Sequence, residues 1–460
     1  MKSLFTTLLL IITGYQGMAQ YMQTLYQLDP HANVVGYNLN PAYISDAKVT
    51  VGLLLGNFSA QGRIGMSANE MFSLDEQNNT LTLKPEKFLE NAPDTYYNRI
   101  FTNYNLLFVG VSNKKSYFTF AIDARAFTEQ EVSNGLLSLA VNGNGFSEED
   151  LANGLSSKSF TSALSTATTA FGQAALGYSK NIDDRLTIGG RAKFLWGIGH
   201  ASSNEVSLTI QNDLTSNSTT LTTEGGNFQT AGVVDFMDPD GNKVPTFTGN
   251  YGMAIDLGAT YRLTEKVTLS ASLLDLGGIK WTKNGRQLSL KGGSYAFDGI
   301  DVEPLINLTG KHDHASINLN EDVLRELEET LQIDTLSNQN FHTALPAQWF
   351  LGGSYQLAER HRVGGTWMNS VYKGRWLSGF SAFYNIYVGA GLSALVNWTG
   401  VNGTYANVGA GLRLNMGAVQ WHISSDNLLA AFKLENARNF SLATGINFQF
   451  GRKDMKVKNW

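Results

Sequence analysis

The stretch "FSLATGINFQF" (440–450) alternates along its whole length. Phe440, Leu442, Thr444, Ile446, Phe448 and Phe450 fall on one side, and Ser441, Ala443, Gly445, Asn447 and Gln449 on the other. A period of two is a strand with one apolar and one polar face. "YFTFAIDARAF" (117–127) repeats it, with Phe118, Phe120, Ile122, Ala124 and Ala126 set against Thr119, Ala121, Asp123 and Arg125. "LTIGGRAKFLWG" (186–197) sets Leu186, Ile188, Gly190, Ala192, Phe194 and Trp196 against Thr187, Gly189, Arg191, Lys193 and Leu195. The rhythm recurs over 253–263, 388–398, 407–415 and 419–424.

Soluble strands run to about five or six residues. These run to about ten or more, the length a tilted strand needs to cross hydrocarbon. Trp196, Tyr261, Trp398, Phe440 and Phe450 stand at the ends of apolar rows, where interfacial girdles lie. Asp123, Arg125, Arg191, Lys193 and Arg262 share the opposite face. The core of a soluble sandwich cannot host such charges, whereas a wet lumen can. The pattern therefore predicts an all-β chain forming a transmembrane antiparallel β-barrel, with about 14 to 16 candidate strands. A large secreted all-β protein is the competing architecture.

Composition supports the barrel. Glycine is abundant (47), proline scarce (8) and aromatics reach 11%, as long strands with aromatic girdles require. The chain has no cysteine, so it is not a disulfide scaffold. Its net charge is −5, and no basic block suggests nucleic acid. Lys2, the apolar run after it and the small-x-small site Gly17-Met18-Ala19 read as a signal peptide over 1–19. The rest divides into an N-terminal segment (20–47), the barrel (48–450) and a polar tail (451–460). Over 48–56, Val49, Val51, Leu53 and Leu55 alternate with Thr50 and Gly52, and Leu54 breaks the pattern toward the lumen.

Short turns at 113–115, 181–185, 264–266 and 415–417 join neighbouring strands, while 67–99, 128–171, 212–250 and 297–345 are long and irregular. Barrels have short periplasmic turns and long outside loops. Residues 321–333, "EDVLRELEETLQI", read as a short amphipathic helix within one such loop.

Chemistry is thinly signalled. His312 and His314 share a strand face but lack a third metal ligand. Residues 238–242, "DPDGN", depart from calcium-loop spacing and read as a tight turn. The pairs Gly189-Gly190, Gly277-Gly278, Gly352-Gly353 and Gly364-Gly365 lie inside strands, where glycine permits bends and close backbone approach. His422 and Ser424 share a face near Asp426, a triad-like grouping that polar residues on a wet strand face explain without catalysis. No catalytic residue, metal site or cofactor is assigned, and the chain is not read as an enzyme.

Five stretches carry a resemblance: "LNPAY" (39–43), "LGYSKNIDDRLTIGGRAKFLWG" (176–197), "LSASLLDLGGIKW" (269–281), "LPAQWFLGGSYQL" (345–357) and the run from "SSDNLL" to "GINFQFG" (424–451). Together they resemble the FadL-like outer-membrane barrels of bacteria with type IX secretion, relatives of the long-chain fatty-acid transporter and of PorV. The match falls nearest an uncharacterised family of that group, and the PorP/SprF-like proteins share the Asn-Pro-Ala-Tyr corner. The resemblance implies a barrel of about 14 strands with an N-terminal plug in the lumen. Asn40, Pro41, Ala42 and Tyr43 would belong to that plug or to a ligand site.

It also implies the cell outer membrane, with membrane lipid and lipopolysaccharide around the wall. Two functions compete. One is passive uptake or binding of a small hydrophobic compound. The other is a non-transporting barrel that scaffolds envelope proteins, such as a type IX secretion complex. A transporter needs an apolar lumen. The inward rows read here as mostly polar, with Leu107, Val109, Leu195 and Leu274 as exceptions.

Overall fold

The computed structural model describes residues 34–452, apart from 54–56, 70–71, 76–79, 84–93, 233–248, 298–333, 389–390, 402–403, 429–437 and the single positions 64, 66, 68, 114, 143, 217 and 338. The expected signal peptide, residues 20–33, Leu54, the 238–242 turn, the 312/314 histidines, the 321–333 helix and most of the tail lie outside the described residues.

The first strands are β1 (Val49–Gly52), β2 (Asn57–Arg63), β3 (Phe72–Asp75), β4 (Thr80–Leu83), β5 (Thr95–Ser112), β6 (Ser116–Ser133) and β7 (Ser157–Asn181). Next come β8 (Leu186–Asp213), β9 (Ser218–Ala231), β10 (Asn250–Arg262), β11 (Val267–Trp281), β12 (Arg286–Phe297), β13 (Asp334–Ser337) and β14 (Phe341–Ala344). The last are β15 (Ala347–Ala358), β16 (His361–Tyr372), β17 (Arg375–Val388), β18 (Leu392–Val401), β19 (Thr404–Met416), β20 (Val419–Ser425) and β21 (Asn439–Phe450). Three short helices are described: α1 (Val34–Leu39), α2 (Asn134–Asn142) and α3 (Glu148–Ala152).

All pairings are antiparallel, and they close a ring. It runs from β1 and β2 through β5, β6, β7, β8, β10, β11, β14 with β15, β16, β17, β18, β19, β20 and β21, and returns to β1 and β2. Both β1 and β2 lie between β5 and β21, so they are one interrupted member. β14 and β15 likewise share the β11 edge. The ring therefore has fourteen members around its circumference. β9, β12 and β13 extend it at the long-loop end, where the last half of β8 leaves β10 and pairs with β9.

Alternation sets which face looks out. Met253 is 74% exposed and Ile255 and Leu257 about half, while Ala254 and Asp256 between them are buried. Phe118, Leu176, Phe194, Val396, Leu412 and Phe448 are exposed in the same way. Fully burying such a side chain gains about 1.5–3 kcal/mol, part of which each would forgo in water, so this wall is built for hydrocarbon. Tyr178, Tyr261, Tyr355, Tyr384 and Phe450 are exposed toward the short-turn end, and Tyr251, Trp376 and Trp398 toward the other. From Tyr251 to Tyr261, a rise of roughly 3.3 Å per residue and a tilt near 40° separate the two belts by about 25 Å, the height of an apolar membrane band. Among the described residues no helix is long and apolar enough to cross a membrane.

Side-chain oxygens tie the tight turns. Asn113 Oδ1 accepts from the backbone N–H groups of Lys115 and Ser116 at 3.0 and 2.9 Å, and Thr264 Oγ1 accepts from those of Lys266 and Val267 at 3.2 and 3.0 Å. Local capping thereby offsets the ladder bonds lost at each reversal. At the opposite end α3 begins with a reciprocal Ser147/Asp150 capping box. Lys158 Nζ lies 2.5 Å from Asp150 Oδ2. The Lys158 hydrogen bond and the capping contacts bring the Asp150 carboxyl down to about 2. A carboxyl lowered in the folded state stabilises above its unfolded pKa and loses that contribution as pH falls through the folded value. Acidification from about pH 4 to 2 should therefore release α3 while the barrel persists, seen as loss of amide-exchange protection confined to the residues after Ser147.

One expectation is overturned. Leu107 and Val109 do not face the lumen. A register shift between Asn105 and Leu107 turns the strand over, so that Leu107 pairs with outward Ile122 and Phe108 becomes the fully buried inward residue. An extra residue in a strand exchanges its faces.

Candidate functional site in the lumen

Inside the ring four layers follow one another from the short-turn end. The first is a cavity of about 970 Å³, lined by residues 42–48 and by inward positions of the surrounding strands and turns. The second is the N-terminal segment itself. The third is a cluster of charges and the fourth an apolar layer.

The segment is seated by hydrogen bonds to the wall. After α1 the chain turns at Asn40, whose backbone N–H reaches Gly36 O at 3.1 Å and whose Oδ1 accepts from Ala42 N–H at 2.9 Å. Asn40 Nδ2 donates to the carbonyls of Ala259 and Ala271 at 3.3 and 3.2 Å. Ser179 Oγ donates to Pro41 O at 2.5 Å, and Ser272 Oγ to Leu39 O at 2.7 Å. Tyr37 and Thr119 share a hydroxyl contact of 2.5 Å. All four residues expected at this corner are buried: Asn40, Pro41, Ala42 and Tyr43. Two inward glycines make room. A Cβ at Gly189 would lie 2.1 Å from Pro41 O, and one at Gly258 would lie 2.1 Å from Asn40 Oδ1. Close backbone approach is thus the physical role of Gly189, as its place inside a strand suggested.

The charge cluster lies above. Arg191 and Asp256 face each other across β8 and β10, 2.5 Å apart. Lys193 bridges Asp256 at 2.7 Å and Asp275 at 2.6 Å. Arg125 grips Asp275 with two bonds of 2.8 and 2.9 Å. Asp123 accepts from Asn105 and Gln173, both at 2.8 Å. Three cations meet three carboxylates, and all but Arg125 are at most 7% exposed. Arg191 also holds the segment below: its guanidinium donates to Asn38 O at 2.6 Å and Asn38 Oδ1 at 3.1 Å, and stands over the Tyr37 ring.

Asp275 reaches this cluster through a kink. Its φ is 59°, the β10–β11 register shifts beside it, and its N–H donates to Asp256 Oδ1 at 2.7 Å. The bulge points Leu274 and Asp275, consecutive residues, both inward. Period-two reading of "LSASLLDLGGIKW" misses Asp275 for this reason. The one available signal is a carboxylate in the middle of an otherwise apolar run.

Beyond the charges, Phe127, Phe171, Leu195, Ile279, Trp281, Leu345 and Tyr372 pack together, each at most 3% exposed, with Phe101 and Phe341 against them. The inward face is therefore not mostly polar along its whole length. Leu195 and Leu274 are inward as expected, and the aromatics beside Leu195 make them part of a continuous layer rather than exceptions. His200 sits within it, stacked on Trp281 at 5.4 Å and bonded to Thr169 and Ser202. The Arg125 guanidinium lies over the Phe171 ring and joins the two layers. The cavity between segment and charges is only about 100 Å³.

The triad-like residues are not wired together. His422, Ser424 and Asp426 are all buried, but neither ring nitrogen of His422 has a hydrogen-bond partner among the described residues. Among those residues no group of three or more His, Cys, Asp or Glu is placed to hold a metal.

Comparison with known proteins gives one match in sequence. The pattern of a family of unknown function (DUF5723) fits residues 41–426. No curated protein matches. In structure, the chain is similar to a Pseudomonas aeruginosa FadL homologue, at 11% identity and a TM-score of 0.44, covering 94% of this chain and all (100%) of that one. It is also similar to the Ralstonia pickettii toluene transporter TbuX, at 10% identity and 0.41, covering 91% and 94%. The Pseudomonas putida toluene transporter TodX aligns at 10% identity and 0.41, covering 89% and 92%.

Proposed function

The chain belongs to DUF5723, a family of unknown function, and from that premise we propose that it is an outer-membrane barrel for passive uptake or binding of a small hydrophobic compound. The observation that carries this is the apolar layer across the lumen. Trp281, Leu195 and Ile279 are fully buried in a layer that Phe127, Phe171, Leu345 and Tyr372 complete, next to the buried charge cluster. A hydrated ion or sugar would have to shed its water to pass there, whereas an apolar molecule gains by entering. The aromatic faces of Phe127, Phe171 and Phe341 suit a small ring or chain compound.

In this reading residues 34–47 act as the plug. Asn40, Pro41, Ala42 and Tyr43 form the corner by which it sits on the wall. The band between the tyrosine and tryptophan belts meets membrane lipid, with lipopolysaccharide around the outer rim. The long-loop end faces outward and the short turns face the periplasm.

Cells producing the protein should take up a radiolabelled small aromatic hydrocarbon several-fold faster than cells without it. Uptake of labelled glycerol should not change. Phe171→Glu should return hydrocarbon uptake to background, because a carboxylate in the layer is costly to bury. Equal hydrocarbon uptake with and without the protein would end the proposal.

A second reading is favoured by one observation, the close packing of the mid-lumen around a cavity of about 100 Å³. Drug-sized sites are several times larger. A barrel sealed in this way can serve as a scaffold for envelope proteins, including a type IX secretion assembly of the kind PorV and PorP/SprF-like proteins join. Stoichiometric co-purification of a partner with no effect on hydrocarbon uptake would select it.

A further inference from the structure

The cavity of about 970 Å³ at the short-turn end plays no part in either reading. We infer that it is a docking vestibule for an extended acidic peptide segment of a periplasmic partner. Its inner end is closed by residues 42–47, so nothing in this arrangement passes through it. Its outer end opens between the hairpin turns.

The lining is basic. Lys48, Lys115, Arg185, Arg262, Lys266 and Arg362 all reach it. Each stands at the inward-facing parity of its strand or of the turn that continues the strand. Lys48 precedes inward Thr50, Arg185 precedes inward Thr187, and Arg262 follows inward Thr260. Among the described residues, Lys48, Lys115, Arg185, Arg262 and Lys266 form no ion pair. Three acids share the lining: Asp46, Asp183 and Asp184. Asp183 is already committed to its own turn. It accepts from the N–H groups of Arg185 and Leu186, both at 2.7 Å, and these bonds hold its carboxyl below the usual range. Cationic charge therefore exceeds what the acids can neutralise.

The spread of the cations identifies the occupant. Arg185, Arg262 and Lys266 stand at the ends of three consecutive ring members, β8, β10 and β11. Arg262 N–H bonds to Arg185 O at 2.8 Å, which puts those two side by side. Arg362 is two members further round, braced over the rings of Phe383 and Tyr387. At about 4.8 Å between members, this row spans roughly 20 Å of arc. A single phosphate or carboxylate touches a fraction of it. An extended peptide advancing about 3.4 Å per residue covers it with about six residues, so alternating carboxylates can meet successive cations. A pocket of about 970 Å³ accommodates such a segment.

The test uses purified full-length protein in detergent and a fluorescein-labelled peptide of about eight glutamates, with binding read by anisotropy at low salt. Micromolar binding that weakens several-fold as salt rises is expected. The double variant Arg262→Glu/Lys266→Glu should bind at least about tenfold more weakly, because four units of charge change at the row's centre. It should keep the heat-dependent gel mobility of a folded barrel. Lys291→Glu, exposed on β12 at the opposite end, should bind as the parent does. Undiminished binding by the double variant overturns the inference. So does displacement by inorganic phosphate at matched total charge, which would make the site one for small anions.

The inference rests on the short turns facing the periplasm. That is checked separately by a single cysteine at Lys115, which should resist a membrane-impermeant maleimide in intact cells. Labelling there would overturn the orientation, and the periplasmic partner with it, while leaving the peptide measurement readable.

Discussion

A valine at Gly189 is expected to unseat the N-terminal segment. Its Cβ alone would lie 2.1 Å from Pro41 O, a contact between backbone-fixed atoms that no rotamer relieves. Overpacking of this kind costs about 1–3 kcal/mol. The segment is held by a handful of hydrogen bonds, to Ser179, Ser272, Thr119 and Arg191, each contributing about 1 kcal/mol net. The strain is thus comparable to the hold. A single cysteine in place of Asn38, in a chain that has none, gives the readout. Its reaction with a maleimide applied to the purified barrel should be slow in the parent and about 10- to 100-fold faster with Gly189→Val. Ionic conductance in planar bilayers should rise less than the labelling does, because the apolar layer is untouched. Gly190→Val, whose Cβ points away from the segment and lies 3.5 Å from its nearest neighbour, should change neither. An unchanged labelling rate in Gly189→Val would show that the segment does not depend on this seat.

Removing Asp256 should have the largest effect on stability. Its carboxylate faces Arg191 at 2.5 Å and Lys193 at 2.7 Å, and it receives the kinked Asp275 N–H. Asp256→Ala leaves buried cations with one partner fewer. Breaking a buried ion pair from one side costs about 3–5 kcal/mol. Lys193 keeps Asp275, which places the expected loss near the lower bound, about 3 kcal/mol. Urea unfolding in detergent, followed by tryptophan fluorescence, reads it as a lowered midpoint. Replacing Arg191 and Asp256 together by apolar residues should cost far less, since Lys193 and Arg125 keep Asp275 and no cation is left without a carboxylate. If the single and the double variants unfold at the same midpoint as the parent, the cluster contributes charge balance without holding the wall together.

The wall was largely legible in the sequence, because a barrel strand writes its two solvents into alternate residues. Over 253–257 and 441–450 the apolar row is the more exposed row and the polar row the buried one. Legibility failed where the backbone leaves the period. The bulge at Asn105 sends Leu107 outward and Phe108 inward, and the bulge at Asp275 brings two neighbours into the lumen together. A sequence does not mark where an extra residue goes.

The contents of the lumen were only half legible. The inward charges Arg125, Arg191 and Lys193 were visible, but their pairing partners come from strands far apart in the chain. The apolar layer was hidden for a related reason. Phe127, Phe171, Trp281 and Phe341 belong to four strands, each giving one or two aromatics at one height, so no single strand looks apolar on its inner face. The Asn40-Pro41 corner was recognised by resemblance. What its contacts add is a reason for it: Asn40 caps its own turn and reaches two wall carbonyls with the same side chain.

Ring closure has a kinetic consequence. The seam is made by Val49 to Val51 against Phe448 to Phe450, and by Asn57 to Arg63 against Asn439 to Gly445. These are among the most distant described pairings, and they involve the first and last described strands. The seam cannot form before β21 has been made, and until it does β1 with β2 on one side and β21 on the other each lack one neighbour. Contacts of such high sequence separation form slowly, because a long loop must close before they stabilise anything. The open intermediate exposes two unpaired edges and an apolar face to water at once, a species prone to join edges with others of its kind. Loss of the C-terminal strand should therefore produce aggregates, and a chain of this architecture has to be kept unfolded by helpers until a membrane is at hand.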